Sequence, residues 1–203
     1  MNAVLFPFAF ATLTPALLIA MGAIWGGVWV VAAVVYLTAM TSLLDRLIKR
    51  ETPSGTNQDG DALSMAIALT HFALIAVVVW ALAGDHLRPL AKLGIFLAAG
   101  LWLGQVSNAN AHELIHRPSR NLHRLGMWVY ITLLFGHHTS AHVLVHHRLV
   151  ATPADPNTSR KGEGLYRYIV RAWIGSFQQG YAAEKERLSR INRPAWRNPY
   201  LIY

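Results

Sequence analysis

The apolar positions of this chain fall in long uncharged runs rather than in an alternating pattern. Residues 4–21 carry no charge, and after Gly22 a second uncharged run covers 24–44. A helix needs about 20 such residues to cross the hydrocarbon core of a bilayer, so each run reads as a span. With only a residue or two between them, the pair makes a tight helical hairpin. Further spans are expected at 62–83 and 90–107, the latter able to run on as helix into Ala111. The first run has no basic leader, contains Pro7 and Pro15, and is followed at once by another span. It is therefore expected to be retained rather than cleaved as a signal peptide. Residues 45–61 form a polar connection with Arg46, Lys49, Arg50 and a Pro53-Ser54-Gly55 turn signal. Residues 122–136 are apolar but shorter than a full span. They read either as a half-buried membrane segment or as the start of a fifth helix. Residues 151–164, ATPADPNTSRKGEG, read as a loop. Over 165–191, Tyr166, Ile169, Val170, Trp173, Ile174 and Phe177 recur at helical steps among Arg167 and Arg171. That pattern predicts an amphipathic helix, lying on a membrane surface or packed on protein.

Composition agrees with the pattern. Of 203 residues, 54% are hydrophobic and only 14% charged, where soluble domains carry roughly 25% charged residues. The expected fold is all-α, a polytopic transmembrane helical bundle forming a single membrane domain over 1–203. The net charge of +8 could suggest nucleic acid, but thirteen of the eighteen Lys and Arg lie between Arg117 and Arg197, beyond the apolar half. Basic residues beside spans mark the cytoplasmic side, and no nucleic-acid recognition motif is present. Basic segments after the second and fourth spans place the region from His112 onward at the cytoplasmic mouth of the bundle. There is no cysteine, which excludes disulfides, thiolate metal sites and a cysteine nucleophile.

Eight of the ten histidines lie between His112 and His147. His112 and His116 are four apart, as are His142 and His146, and His147 follows directly. Residues four apart share a helix face, so HxxxH and HxxxHH are metal-ligand spacings. His112-Glu113-Leu114-Ile115-His116 is also HExxH, the zinc-protease pentapeptide in which the Glu acts as general base. Five imidazoles are too many for one catalytic zinc and enough to begin two iron sites. The metal set read here is His112, His116, His142, His146 and His147. Glu113, between two ligands, is read first as a carboxylate orienting a ligand imidazole, with binding iron itself or facing away as the other readings. His138 offers an offset reading with His142, or with His137 acts as an orienting donor. His123 has no partner four residues away and reads as a surface or loop histidine. His71, alone inside the third span, reads as a packed core residue.

The order HELIHR, AHVLVHH and then Val150-Ala151-Thr152-Pro153, Asp155-Pro156, Ser159-Arg160, Gly162-Glu163 resembles the integral-membrane alkane hydroxylase (alkane 1-monooxygenase) family, within the membrane fatty acid desaturase and hydroxylase superfamily. The loop after the second histidine box is the most specific match. The resemblance implies a non-haem di-iron centre of two Fe ions facing the cytoplasm, in a multi-pass protein of a bacterial inner membrane. It implies oxygen-dependent hydroxylation of the terminal carbon of medium-chain alkanes or similar apolar chains, with electrons from rubredoxin and rubredoxin reductase. His112, His116, His142, His146 and His147 map onto the first two ligand boxes. Arg117 stands where the family has Lys, Ala141 where it has Glu, and Val145 where it has Gly. The family's third HxxHH box and its NYxEHYG motif are not in this sequence. Five of nine expected histidine ligands are therefore present, and the C-terminal part of the family domain is expected to be missing. Two other readings stand beside this one: a membrane zinc metallopeptidase using HExxH, and an inactive truncated membrane protein.

Overall fold

A computed structural model describes residues 5–40, 43 and 57–203, and among these residues there are helices and no strands. The basic connection around Arg46, Lys49 and Arg50 lies outside the described residues. The chain divides into two compact units, residues 1–125 and 126–203.

In the first unit, α1 (Leu5–Trp25) and α2 (Val28–Val35, continued by a π turn over Tyr36–Met40) form a hairpin. The turn falls at Gly26 and Gly27, four residues beyond the glycine that the hydrophobic pattern suggested. Both have positive φ, 68° and 59°, which glycine adopts without steric cost. Gly22 stays helical because it is a contact point: a Cβ there would lie 2.8 Å from Ile95 Cδ1. The third helix, α3, covers Asn57–Ala83. Then α4 (Pro89–Trp102), a π turn (Leu103–Ser107) and α5 (Asn108–Ile115) run as one unbroken helical rod. Among the described residues three helices, Leu5–Trp25, Gly60–Ala83 and Pro89–Ile115, are long and apolar enough to cross a membrane. The hairpin's second arm is shorter in the described region, with an apolar helix over Val28–Ala39.

Backbone polar groups in such a bundle must be satisfied internally. Pro15 lies inside α1 and cannot donate to the carbonyl of Ala11. The Tyr36 hydroxyl approaches that carbonyl at 3.5 Å. One residue on, the Trp102 indole N–H donates to the Thr12 carbonyl at 2.8 Å. The Ala23 carbonyl, in the last turn of α1, accepts from His86 Nε2 at 2.9 Å. The core is built of small and branched side chains, with Ile19, Ala23, Ala33, Ile95 and Ala98 fully buried around Trp102.

Helix α6 (Arg120–Thr132) carries the chain from the first unit into the second. It stops well short of the second histidine box. Leu134 takes φ 57°, the chain turns at Gly136, and a new helix begins at His138. This helix comprises α7 (His138–Ala141), a π turn (His142–His146) and α8 (His147–Leu149). A loop leads to α9 (Leu165–Arg190), and short 3₁₀ turns at Ala195–Arg197 and Pro199–Leu201 close the unit. The buried edge of α9 is Ala172, Ser176, Gly180, Glu184 and Leu188. Tyr166, Val170, Ile174 and Phe177, which carry the apolar periodicity, are exposed.

Candidate metal centre

The first histidine box lies at the end of the α4–α5 rod. Two polar contacts from α3 fix the rod's rotation just ahead of it. His71 Nδ1 and the Ser107 hydroxyl are 2.7 Å apart, both fully buried. The Asn110 amide donates to the Ser64 carbonyl at 2.9 Å. His71 is thus a partnered core histidine that holds the π turn preceding the box. The helix ends at His116, two residues before Pro118, as expected before a proline. His112 and His116 stand on one face, with ring centroids 4.8 Å apart and a ring nitrogen of each within 4.8 Å of one on the other. Glu113 turns elsewhere. Its carboxylate pairs with Arg117 at 2.9 Å, and Arg117 also reaches Asp61 at 3.1 Å. His123 sits half-buried on α6.

In the second unit the rings of Phe135, His138, His142 and His146 form a stacked column, with successive centroids 4.6, 4.8 and 5.2 Å apart. The π turn adds one more neighbour. A π helix places residues five apart on one face, so His147 swings beside His142 as well. The two rings meet edge-on at 4.3 Å, and their Nε2 atoms are 2.9 Å apart. Two imidazole nitrogens bound at right angles to one ion, each about 2.1 Å away, stand about 3 Å apart. The His142–His147 pair therefore fits a shared metal. His137 does not join it. It is buried among the rings of Phe135, Trp173 and Phe177, and burial lowers its pKa to about 4, which keeps it neutral.

His146 is oriented by Asp155, which in the sequence stands out only as part of the family-like loop. Asp155, only 1% exposed, lies 2.8 Å from His146 Nδ1. Burial works to raise the Asp155 pKa. Hydrogen bonds from the Thr158 hydroxyl, the Asn157 N–H and His146 outweigh it and hold the pKa below the usual value. The group is thus an acceptor-only carboxylate, and the proton of the contact sits on His146 Nδ1. In the neutral imidazole this makes Nε2 the lone-pair atom, the tautomer that carboxylate–histidine–metal arrangements use. The signal was legible only as the Asp155-Pro156 dipeptide of the family loop. Nothing local says that a residue nine positions on returns to the histidine.

The same loop is pinned to α9 through Arg171, which binds Glu163 with Nε to Oε1 at 2.7 Å and Nη2 to Oε2 at 2.5 Å. The Arg171 contact lowers the Glu163 pKa from 4.5 to about 2. A carboxylate whose folded pKa is depressed contributes stability above its unfolded pKa and loses it as pH falls through the folded one. Wild-type protein in detergent should thus lose more thermal stability than Glu163→Gln between about pH 4.5 and pH 2. Parallel melting curves of the two proteins check this.

These features define the class: an all-helical membrane protein presenting histidine boxes of metal-ligand spacing at helix ends. The family model described as Fatty acid desaturase matches residues 87–202, and the chain belongs to that family. Within it, the sequence aligns with alkane 1-monooxygenases. It is 32% identical over 126 residues to alkane 1-monooxygenase 1 of Alcanivorax borkumensis, covering 62% of this chain and 31% of that protein. It is 27% identical over 184 residues to alkane 1-monooxygenase 2 of Pseudomonas aeruginosa, covering 84% and 48%. The xylene/toluene monooxygenase hydroxylase component of Pseudomonas putida is 29% identical over 111 residues, covering 54% and 30%. The chain spans between about a third and a half of the length of these curated relatives.

Proposed function

We propose that this chain carries the first two ligand boxes of a non-haem di-iron monooxygenase that hydroxylates the terminal carbon of medium-chain alkanes or similar apolar chains. His112 and His116 supply one group of ligands and His142, His146 and His147 the other. Bound iron would supply oxygen activation, with electrons delivered by rubredoxin and its reductase. The observation that most supports this reading is the second box, where His142 and His147 converge and Asp155 leaves His146 Nε2 ready for a metal. A zinc peptidase would need Glu113 as its general base. The pairing of Glu113 with Arg117 favours a supporting part for it instead.

Substrate class follows from the surroundings. Apolar spans lead to the first box. Between α1 and α3 lies a cavity of about 300 Å³ lined by Leu13, Leu17, Ala73, Leu74 and Val77, open to the apolar surface where a hydrocarbon would dissolve. In this reading the protein is a multi-pass protein of a bacterial inner membrane, with its histidines on the cytoplasmic side, where iron and reductant are available.

The test is product formation. Membranes in which these two boxes stand together with the remaining ligand boxes of the family domain, supplied with NADH, rubredoxin reductase, rubredoxin and octane, should form 1-octanol only in the presence of oxygen. Oxygen-independent turnover by protein that holds zinc alone would contradict the reading.

A further inference from the structure

The loop between the second box and α9 is gripped far more firmly than a surface connection needs. Besides its two bonds to Glu163, Arg171 donates from Nη1 to the Pro156 carbonyl at 2.8 Å and from Nη2 to the Thr158 carbonyl at 3.0 Å. The Tyr168 hydroxyl donates to the Asn157 carbonyl at 3.0 Å, and the Ser176 hydroxyl to Asn157 Oδ1 at 2.9 Å. Gly175 lies so close that a Cβ there would come within 2.7 Å of Pro156 Cβ. Every one of these contacts falls on residues 156–158 or 163, directly after Asp155. The Asp155 carboxylate is itself held by the Thr158 hydroxyl at 2.6 Å and the Asn157 N–H at 3.0 Å. The same short backbone segment is thus fixed by Arg171 on one side and orients the carboxylate on the other.

We propose that Arg171 is a positioning residue for the metal centre: by clamping the Pro156–Thr158 backbone it holds Asp155 on His146 Nδ1 and so fixes the ring's orientation and, in the neutral imidazole, its Nδ1–H tautomer. The inference rests on the reading of His146 as a ligand. Arginine suits the task because its planar fork can serve a carboxylate and two carbonyls at once. Lysine, a point charge on a flexible stem, cannot hold three separate acceptors in one plane. The guanidinium never touches the metal site. It acts through Pro156 and Thr158, then Asp155, then the imidazole proton.

The proton on His146 reports this without any metal. In ¹⁵N-histidine-labelled full-length chain in micelles, two-bond ¹H–¹⁵N spectra at neutral pH should show His146 in the Nδ1–H form. Arg171→Ala should move more than half of the population to the Nε2–H form. It should also weaken cobalt(II) binding about tenfold, the low end for loss of such an orienting partner. Arg171→Lys should fall between Arg171→Ala and wild type. Once Asp155→Asn has cut the route, adding Arg171→Ala should change cobalt(II) affinity less than about twofold, since residues coupled through one contact are not additive. If Arg171→Ala lowers the melting temperature yet leaves His146 in the Nδ1–H form, the residue is merely structural and the proposal is overturned. If the tautomer shifts as expected but wild-type chain binds no cobalt(II), the positioning of His146 stands and its reading as a ligand falls.

Discussion

Replacing His142 with alanine should weaken cobalt(II) or iron(II) binding by about 100-fold or more, the largest effect of any single histidine. Removing a residue that only orients a ligand typically costs 10–100-fold, and His142 is read as a ligand itself. It is also the hub of its unit. Its ring stacks on His138 and His146 and meets His147 nitrogen to nitrogen at 2.9 Å. Its loss removes one imidazole and the surface against which two others are held. A metal titration followed by absorption in the cobalt ligand-field region measures this. Affinity within about threefold of wild type would remove His142 from the ligand set. His137→Ala is the informative contrast. That imidazole is enclosed by aromatic rings and held neutral, so its loss should lower stability and leave metal affinity nearly unchanged.

The second large effect is expected at Gly180. A Cβ at this position would run into the Tyr200 hydroxyl and lie 2.9 Å from Ala141 Cβ. Gly180→Val should destabilise the second unit by about 1–3 kcal/mol, the usual cost of overpacking. The consequence reaches the chemistry because Ala141 directly precedes His142. The α7 segment must shift away from α9 or Tyr200 must leave its place. Ser140, which donates to Glu184 at 2.6 Å, is drawn off as well. Thermal melts should show the stability loss, and cobalt(II) binding should fall with it. Unchanged melting would mean that α7 and α9 do not approach as closely as the structure has them.

The long apolar helices and the two histidine boxes were legible because their signals are local. A run of uncharged residues needs no partner to announce a span, and a four-residue spacing is itself geometry. The hairpin turn was misplaced by four residues because a glycine in helix contact and a glycine in a turn look alike in sequence. Gly22 is helical and packed on Ile95, whereas Gly26 takes positive φ in the turn, and neither difference is written in the residue type. The π turns at Leu103–Ser107 and His142–His146 have no sequence signature. The contact between Ser107 and His71, thirty-six residues away, is a tertiary matter. The second turn changes the ligand pairing, bringing His142 to His147 and not only to His146. The apolar periodicity on α9 marks an exposed face, with Tyr166, Val170, Trp173 and Phe177 outside, while Ala172, Ser176, Gly180 and Glu184 form the packed edge that the periodicity did not reveal. Small residues at four-residue steps mark close helix approach, and hydrophobicity alone passes over them. Glu184 lies in the charged stretch 182–190, yet its partners Ser140 and Arg187 allow it to be buried. Asp155 was visible as a motif and silent as a contact.

The most direct test of the central claim is the metal itself. Protein purified under reducing conditions without added metal should contain iron. That iron should be lost when His112 and His116 are replaced together, and lost again when His142 and His147 are replaced together. Iron dependence on both boxes would show that both hold iron. A single zinc ion that depends on His112 and His116 and persists without His142 and His147 would contradict the account.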